Sequence, residues 1–338
     1  MKAAVLWKPH DLRVEEEWLE PEPAPDQVKI RITYCGICGS DVEVLEGRFN
    51  PARFAAGQPR LLGHESCGTI VKIGSAVRAN LQVGQRVAVY FRSACGACYY
   101  CNNGQEHFCE RAASNSGGFA EYGVFKEGTV YPVPEGVSME EAALTEPVSV
   151  AIHGIDMARV RPGSSVAVIG AGPIGLLLLQ VAMKAGAART LVSEPVAGKR
   201  QVAQDLGADV VVDPLTEDLE AAARKLTDSR GFDTVLEASG KPACARQAVY
   251  LAANGGTIVW AGVYPGDALV SVPPFYMYDK ELNIQSIKIS PYTFPRAVAL
   301  VPKLQLKPLI TDIMPLKDIV KAFDVHSQGK AIKMLIKP

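Results

Sequence analysis

The sequence predicts an α/β protein made of a β-rich domain followed by a doubly wound parallel-sheet domain. Its 338 residues exceed what one hydrophobic core usually supports, so two domains are expected. Short β-branched runs broken by Gly and Pro dominate the first 150 residues or so, as at 28–32, 68–73 and 86–89. Their alternation of apolar and polar residues is typical of half-buried antiparallel strands. After Ser164, strands alternate with helical stretches, which indicates a parallel sheet with right-handed crossovers.

The second domain is predicted element by element from its buried runs and the breaks between them. Strands are expected at 165–169, 190–193, 209–212, 233–236 and 257–260. Helices are expected at 174–185, in the segment that ends before Gly207, at 217–226 and at about 242–252. The proline-rich tail after residue 290 has amphipathic pieces at 295–304 and 316–327 and is too short for a third domain. We therefore predict a first domain at 1–151, completed by 290–338, and a second domain at 152–289.

Charge and composition argue against several classes of partner and location. The formal net charge is -1 and the pI is near 6.5, so no basic surface for nucleic acid or an anionic membrane is expected. The first ten residues turn polar too early for a secretory signal, so a cytoplasmic location is expected. The apolar run 165–183 is interrupted by glycines and a proline, which favours a buried strand and helix over a membrane span. In a reducing compartment the eight cysteines are not expected to form disulfides.

A glycine-rich turn, Gly170-Ala171-Gly172-Pro173-Ile174-Gly175, separates the first strand and helix of the second domain. The first glycine is expected to make the turn, the second to let backbone approach a pyrophosphate, and the third to pack helix against strand. Glu194, nineteen residues past Gly175, ends the next strand, where an acid bonds the ribose hydroxyls of NAD and repels a 2′-phosphate. A solvated surface acid is the alternative for Glu194. Lys199 and Arg200 are further cofactor candidates that could favour NADP, but the acid at the strand end outweighs them.

A segment of fifteen residues, the cysteine lobe, contains Cys95, Cys98, Cys101 and Cys109. This spacing lets one short loop surround a tetrahedral ion, and four thiolates leave no open position for substrate, so a structural zinc is predicted. An iron–sulfur cluster is the competing interpretation. The usual cluster run has a gap of three before its last Cys and a Pro after it, whereas here the gap is seven and Glu110 follows.

A second metal site is predicted between residues 35 and 65, in the segments Cys35-Gly36-Ile37-Cys38-Gly39-Ser40-Asp41 and Gly63-His64-Glu65. Cys38, His64 and a carboxylate form an N/S/O ligand set of the kind an open, Lewis-acidic zinc uses. Cys35 is a second thiol candidate, and a buried cysteine is more often a small hydrophobe than a ligand. The glycine-rich turn at Cys38, the Gly-His-Glu triplet and the nucleotide fold downstream together favour a catalytic zinc.

Two more side chains are candidates for this catalytic centre. Ser40, two residues after Cys38, is positioned to accept the substrate hydroxyl proton, and a local turn hydrogen bond is the alternative. Glu146 precedes the second domain, where its carboxylate could reach the metal or a water molecule on it. The alternative for Glu146 is an acid at a helix start.

Together these features resemble the zinc-dependent medium-chain dehydrogenases, and within them the polyol (sorbitol-type) branch. The resemblance runs nearly end to end. It is carried by residues 35–41, 63–65, the cysteine lobe, 118–122, 146–147 and 170–175. It implies a GroES-like β-rich catalytic domain formed by both chain ends, with a Rossmann doubly wound parallel-sheet domain inserted between them. It also implies a homodimer or homotetramer.

The resemblance further implies roles for the site residues. Cys38 and His64 become zinc ligands, Glu65 a direct ligand, and Glu146 a ligand either directly or through water. The alcohol branch has a second Cys where Glu146 stands, so this glutamate points to the polyol, butanediol and related subgroups. The implied cofactors are a catalytic zinc, a structural zinc and NAD.

The expected activity is oxidation of a secondary alcohol of a polyol to a ketone by hydride transfer to NAD. Oxidation of threonine or 2,3-butanediol is a close alternative. A zinc-free or non-catalytic nucleotide-binding protein of the same fold is an alternative of another class, against which the full ligand set argues. Two departures argue against sorbitol itself: Glu43 and Val44 replace a His–Tyr pair of the polyol enzymes, and the segment Ile287-Lys288-Ile289-Ser290 lacks their Arg–Tyr pair.

Overall fold

The computed structural model describes residues 1–48, 58–115 and 117–338. The chain forms two compact units, one made of Met1–Glu146 with Phe294–Pro338 and the other of Pro147–Thr293. The boundaries predicted from the sequence were 151/152 and 289/290, so the structural division assigns residues 147–151 and 290–293 to the second unit instead.

The first segment of the chain is built from short strands with a few short helices. Its strands are β1 (Ala3–Lys8), β2 (Asp11–Glu15), β3 (Gln27–Gly36), β4 (Arg60–Leu61), β5 (Glu65–Ile73), β6 (Arg86–Val89), β7 (Arg92–Ser93), β8 (Ala113–Ser114), β9 (Tyr122–Lys126) and β10 (Val130–Pro132). Its helices are α1 (Gly39–Leu45), α2 (Tyr99–Asn102) and α3 (Met139–Ala142), with 3₁₀ turns at Glu106–Phe108 and Glu127–Thr129.

The second unit alternates strands and helices, as the sequence predicts. Its strands are β11 (Ser165–Ile169), β12 (Arg189–Ser193), β13 (Val210–Val212), β14 (Phe232–Glu237), β15 (Ala252–Trp260) and β16 (Asn283–Ser286). Its helices are α4 (Thr145–Ala158, which begins in the first unit), α5 (Pro173–Lys184), α6 (Ala197–Asp205), α7 (Leu219–Leu226), α8 (Pro242–Leu251) and α9 (Pro274–Lys280).

The C-terminal segment returns to the first unit, as expected. Its elements are α10 (Phe294–Leu300), β17 (Ile310–Pro315), α11 (Ile319–Ser327) and β18 (Lys333–Lys337), with 3₁₀ turns at Val301–Lys303, Lys307–Leu309 and Leu316–Asp318. The strand β18 pairs antiparallel with β3 through Leu335 opposite Gly36 and Ile336 opposite Cys35. This pairing brings the end of the chain beside the segment that carries Cys38.

The first unit is a mainly antiparallel β structure. Its larger sheet has the strand order β10-β6-β5-β3-β18-β17, with β9 also paired to β3, and a smaller sheet has the order β2-β1-β4. Apolar side chains from both chain ends share one core, in which Phe119 and Phe323 meet edge to face with ring centroids 6.0 Å apart. Burial of each such side chain stabilises the folded unit by about 1.5 to 3 kcal/mol.

The second unit contains a parallel sheet with the strand order β13-β12-β11-β14-β15-β16. The strand order reverses direction between β11 and β14. In open α/β sheets, ligands bind at the carboxyl ends of the strands beside such a reversal. Within the described residues, no helix has the length and apolar character needed to cross a membrane.

Candidate functional site

The predicted catalytic metal ligands meet in the first unit. The Cys38 sulfur, a ring nitrogen of His64 and a carboxylate oxygen of Glu65 lie within 4.8 Å of one another. Cys38 directly precedes α1, and Glu65 is the first residue of β5, which pairs with β3 so that Glu65 lies opposite Gly36. A thiolate, an imidazole and a carboxylate are a donor set that zinc accepts. The residues therefore fit the predicted ion.

Lys333 neutralises the buried charge of Glu65. Its ammonium donates to both carboxylate oxygens, at 2.8 and 2.7 Å, and to the carbonyl oxygen of Ile37 at 2.9 Å. Glu65 and Lys333 are only 1% and 2% exposed. A Cβ at Gly36 would lie 2.0 Å from Glu65 Oε2, so glycine at this position is what lets the carboxylate lie against β3.

Asp41 orients the predicted histidine ligand. Its Oδ1 lies 3.4 Å from Nδ1 of His64, and its carboxylate also accepts the N–H groups of Cys38 at 3.1 Å and Gly63 at 3.3 Å. A carboxylate on one ring nitrogen fixes the ring and leaves the other nitrogen for a metal. Burial lowers the pKa of His64, but the charges and hydrogen bonds of Asp41 and Cys38 together outweigh it, so the pKa is raised well above its ordinary value.

Glu146 lies near these ligands, at the second position of α4, and is 5% exposed. Burial raises the pKa of Glu146 to about 7, with smaller effects from the charges of His64, Glu65 and Lys333. Among the described residues, the close cluster of ligand atoms contains Cys38, His64 and Glu65 but not Glu146. Coordination by Glu146, directly or through water, thus stays a prediction.

Ser40 is the second residue of α1 and is half-buried, two residues after Cys38. Its role in proton transfer also stays a prediction.

Glu43, on the same helix, accepts two hydrogen bonds from Arg48 at 2.9 and 2.8 Å. Glu43 is therefore engaged in an ion pair with Arg48.

The cysteine lobe also gathers its predicted ligands. The sulfurs of Cys95, Cys98, Cys101 and Cys109 lie within 4.8 Å of one another. The Cys95 N–H donates to the Cys109 sulfur at 3.3 Å. A hydrogen bond from the Ala97 N–H lowers the pKa of the Cys95 thiol to about 6, and the thiolate is the form that binds zinc. The lobe is therefore suited to a tetrahedral ion.

The glycine-rich turn lies in the second unit between β11 and α5. A Cβ at Gly175 would lie 1.8 Å from the carbonyl oxygen of Gly170, so the third glycine permits the close contact of helix and strand. Helix α5 begins at Pro173, directly after Gly172. Its free N-terminal amides are suited to the phosphates of a dinucleotide.

Glu194 follows β12 and is 6% exposed. Its carboxylate accepts the N–H of Ala171, within the turn, at 2.7 Å and the N–H of Val196 at 2.9 Å. The acid therefore lies beside the glycine-rich turn, and its binding of a ribose stays a prediction. Lys199 and Arg200 follow on α6. Burial lowers the pKa of Lys199, although the charge of Glu194 acts to raise it.

Two residues of the metal site were missed by sequence reasoning. Asp41 stands three residues after Cys38 at a helix start, a spacing typical of helix capping that could have indicated an oriented carboxylate. Lys333 is 268 residues from Glu65 in the chain. A lysine at the start of an apolar strand is a weak signal, so nothing local pointed to this partner.

The comparisons with known proteins agree with this geometry. Residues 24–135 match the family model described as the alcohol dehydrogenase GroES-like domain, and residues 173–303 match the zinc-binding dehydrogenase model. The D-arabinitol dehydrogenase 1 of Uromyces fabae is 33% identical, over 100% of this chain and 97% of that protein. The sorbitol dehydrogenase of Ovis aries is 34% identical, over 98% of this chain and 95% of that protein.

The chain belongs to the zinc-dependent medium-chain dehydrogenases, in the polyol branch.

A solved structure of a zinc-binding dehydrogenase from Sinorhizobium meliloti 1021, bound to NADP, is similar to this dehydrogenase. Its TM-score is 0.93 at 32% identity, and the match covers 100% of this chain and 99% of that one. The predicted family and the α/β fold class, a GroES-like domain with a Rossmann domain, are thus confirmed. The protein is an oxidoreductase of CH–OH groups that uses zinc and a nicotinamide cofactor.

Proposed function

We propose that this dehydrogenase oxidises a secondary alcohol of a polyol to the ketone with NAD as the hydride acceptor. The observation that carries the proposal is the cluster of Cys38, His64 and Glu65, whose ligand atoms lie within 4.8 Å of one another with Glu146 nearby. When bound, zinc would lower the pKa of the substrate hydroxyl and the nicotinamide would accept the hydride.

The chain's own residues would prepare this step. Asp41 holds His64 in a fixed orientation, and Lys333 holds Glu65, so the ligands are ordered before substrate arrives. Such preorganisation lowers the cost of reaching the reactive geometry. Ser40, next to this centre in the chain, would take the hydroxyl proton as the carbonyl forms. The products are the ketone, NADH and a proton.

The preference for NAD is supported by Glu194. Its buried carboxylate lies at the glycine-rich turn, where it would accept hydrogen bonds from the ribose hydroxyls and repel a 2′-phosphate. We further propose a structural zinc in the cysteine lobe, a cytoplasmic location and a homodimer or homotetramer.

A panel of pentitols, hexitols, their phosphates, threonine and 2,3-butanediol, each with NAD and with NADP, tests the proposal. NADH should form when the parent protein is given a polyol, and it should not form with Cys38→Ala protein. Cys244→Ala protein, which is altered outside both predicted zinc sites, should keep its activity. Faster turnover of threonine or butanediol would favour those alternatives. Retained activity in metal-free Cys38→Ala protein would show the mechanism to be wrong, and NADH binding without turnover of any alcohol would favour a non-catalytic role.

A further inference from the structure

Two acidic residues stand side by side at the carboxyl edge of the parallel sheet. Glu194 follows the last residue of β12, and Asp213 follows the last residue of β13. The N–H of Glu194 donates to the carbonyl oxygen of Val212 at 3.1 Å, so the ladder between the two strands continues to this edge. Any group that reaches the ribose end of the cofactor site therefore meets two carboxylates rather than one.

Arg200 is held between these acids. Its Nη1 donates to the carbonyl oxygens of Glu194 at 2.8 Å and Pro195 at 2.6 Å, and its Nη2 lies 3.0 Å from Asp213 Oδ2. The side chains of Arg200 and Asp213 are 22% and 17% exposed, so water screens this pair only in part. Both terminal nitrogens of the guanidinium thus bind oxygen atoms of the protein itself.

Asp213 is itself fixed in place. Its Oδ1 accepts the N–H of Leu215 at 3.1 Å, and its own N–H donates to Glu217 at 2.7 Å. A carboxylate with these local hydrogen bonds holds its position without help from Arg200. The Asp213 carboxylate therefore competes with any incoming phosphate for the guanidinium of Arg200.

An arginine near the end of this strand is the residue type that accommodates a 2′-phosphate in NADP-dependent proteins. Guanidinium pairs with phosphate through two parallel hydrogen bonds, which gives Arg an advantage over Lys. For Arg200 to do this, its Nη2 would have to leave Asp213. The phosphate would then lie next to a carboxylate that had lost its partner.

We propose that Asp213 is a cofactor-specificity residue of this dehydrogenase, because it keeps Arg200 from binding the 2′-phosphate of NADP. Glu194 provides the first barrier at the ribose, and the Asp213–Arg200 pair provides the second. The inference rests on the proposed use of NAD. It explains how the chain can carry two basic residues on α6 and still select the cofactor without a 2′-phosphate.

The test measures nucleotide binding rather than turnover. Dissociation constants of NADH and NADPH come from nicotinamide fluorescence, and those of 5′-AMP and 2′,5′-ADP, which differ only by the 2′-phosphate, come from calorimetry. The variants are Asp213→Asn, which keeps an acceptor for the Leu215 N–H, and Asp213→Asn combined with Arg200→Gln. Circular dichroism and thermal unfolding establish that each variant is folded.

Asp213→Asn should bind NADPH and 2′,5′-ADP about two- to fivefold more tightly, the range expected for releasing one partly exposed ion pair. Binding of NADH and 5′-AMP should be unchanged. The gain should disappear in the double variant, since Arg200 is the group that receives the phosphate. Asp228→Asn is the matched control: it makes the same charge change at a pair with Arg189, 2.9 Å apart, at the opposite end of β12.

An unchanged selectivity in Asp213→Asn would overturn the proposal, as would an equal gain for 5′-AMP or an equal gain in Asp228→Asn. A gain that persists after Arg200→Gln would also overturn it, because the effect would then be simple charge removal. The unaltered chain separates this inference from the proposed function. If it binds NADPH more tightly than NADH, the proposed use of NAD is wrong as well; if it prefers NADH and the variants do not respond, only the role of Asp213 is wrong.

Discussion

The ammonium of Lys333 contacts both carboxylate oxygens of Glu65, at 2.8 and 2.7 Å, in a site where neither residue is more than 2% exposed. The two charges come from opposite ends of the chain, and β18 supplies the lysine while β5 supplies the glutamate. This pair therefore fixes one predicted zinc ligand by means of the C-terminal strand.

Replacing Lys333 with Met should destabilise the zinc-free protein strongly, because it leaves the buried Glu65 charge without a partner. Loss of one member of a buried pair costs about 3 to 5 kcal/mol. Lys29→Met is the matched control. Lys29 is also nearly buried, but its partners Glu20 and Glu22 are 45% and 63% exposed, so water can replace it at a cost of about 1 kcal/mol or less.

Urea unfolding followed by tryptophan fluorescence gives the free energy of unfolding for both variants. A loss in Lys333→Met no larger than in Lys29→Met would contradict the idea that Glu65 depends on this lysine for charge balance. The comparison removes the general effect of losing a buried lysine side chain.

Replacing Asp41 with Asn should weaken zinc binding at the catalytic centre. The carboxylate 3.4 Å from His64 Nδ1 would become a neutral amide, which keeps an acceptor oxygen for one of the two N–H groups of Cys38 and Gly63. Loss of such an outer partner lowers metal affinity by about 10- to 100-fold.

Competition with a zinc-binding dye measures this affinity. Glu43→Gln is the control, because Glu43 lies on the same helix but binds Arg48 rather than a ligand. Equal zinc affinity in Asp41→Asn and Glu43→Gln would mean that Asp41 serves α1 alone and not His64.

The second unit was predicted well from the sequence because its signals are local. Strand β11 matches its predicted limits, since the run from Ser165 to Ile169 is apolar and a glycine-rich turn ends it. Strand β15 begins at Ala252 rather than at the predicted Thr257. Residues 252–256 contain two alanines, an asparagine and two glycines, and so carry no strand pattern of their own. Ala252 nevertheless pairs with Phe232 of β14, and the register shifts before the next pair, Thr257 opposite Thr234.

The metal site divides in the same way between local and distant information. Cys38, His64 and Glu65 lie in short motifs whose residue types point to a metal, so they could be found without a structure. Lys333 could not, because its contact with Glu65 follows from the pairing of β18 with β3.

The amphipathic piece predicted at 295–304 forms a helix that ends at Leu300, since Pro302 cannot continue the helical hydrogen bonds.

Replacing Cys98 with Ser should remove the structural zinc and leave the catalytic zinc in place. We expect about two zinc ions per chain in the parent and about one in this variant, because three thiolates and a hydroxyl bind zinc more weakly than four thiolates. Cys244→Ser, a change outside both clusters, should keep the parent content. Elemental analysis after gel filtration counts the metal. Iron and a brown colour in the parent would instead identify the lobe as an iron–sulfur site.

The Tyr264 hydroxyl donates to Glu237, a fully buried residue at the end of β14 that also accepts the N–H groups of Ser239 at 2.7 Å and Gly240 at 3.3 Å. Burial raises the pKa of Tyr264 above its ordinary value of 10, and the Glu237 carboxylate raises it further. An unfolded tyrosine ionises near pH 10 while the folded one stays protonated. Above that pH the folded chain binds more protons than the unfolded chain, so stability falls as the pH rises.

Replacing Tyr264 with Phe should therefore flatten the stability profile above about pH 10. The stability advantage of the parent over Tyr264→Phe should be constant below that pH and shrink above it. The decline is less than about 1.4 kcal/mol per pH unit, because Tyr264 is only partly buried and water screens its contact. Urea unfolding between about pH 8 and pH 11 measures it. Tyr278→Phe, at a residue of the same unit that is 78% exposed, is the control. Parallel profiles of stability against pH for the parent and Tyr264→Phe would rule out a proton held between Tyr264 and Glu237.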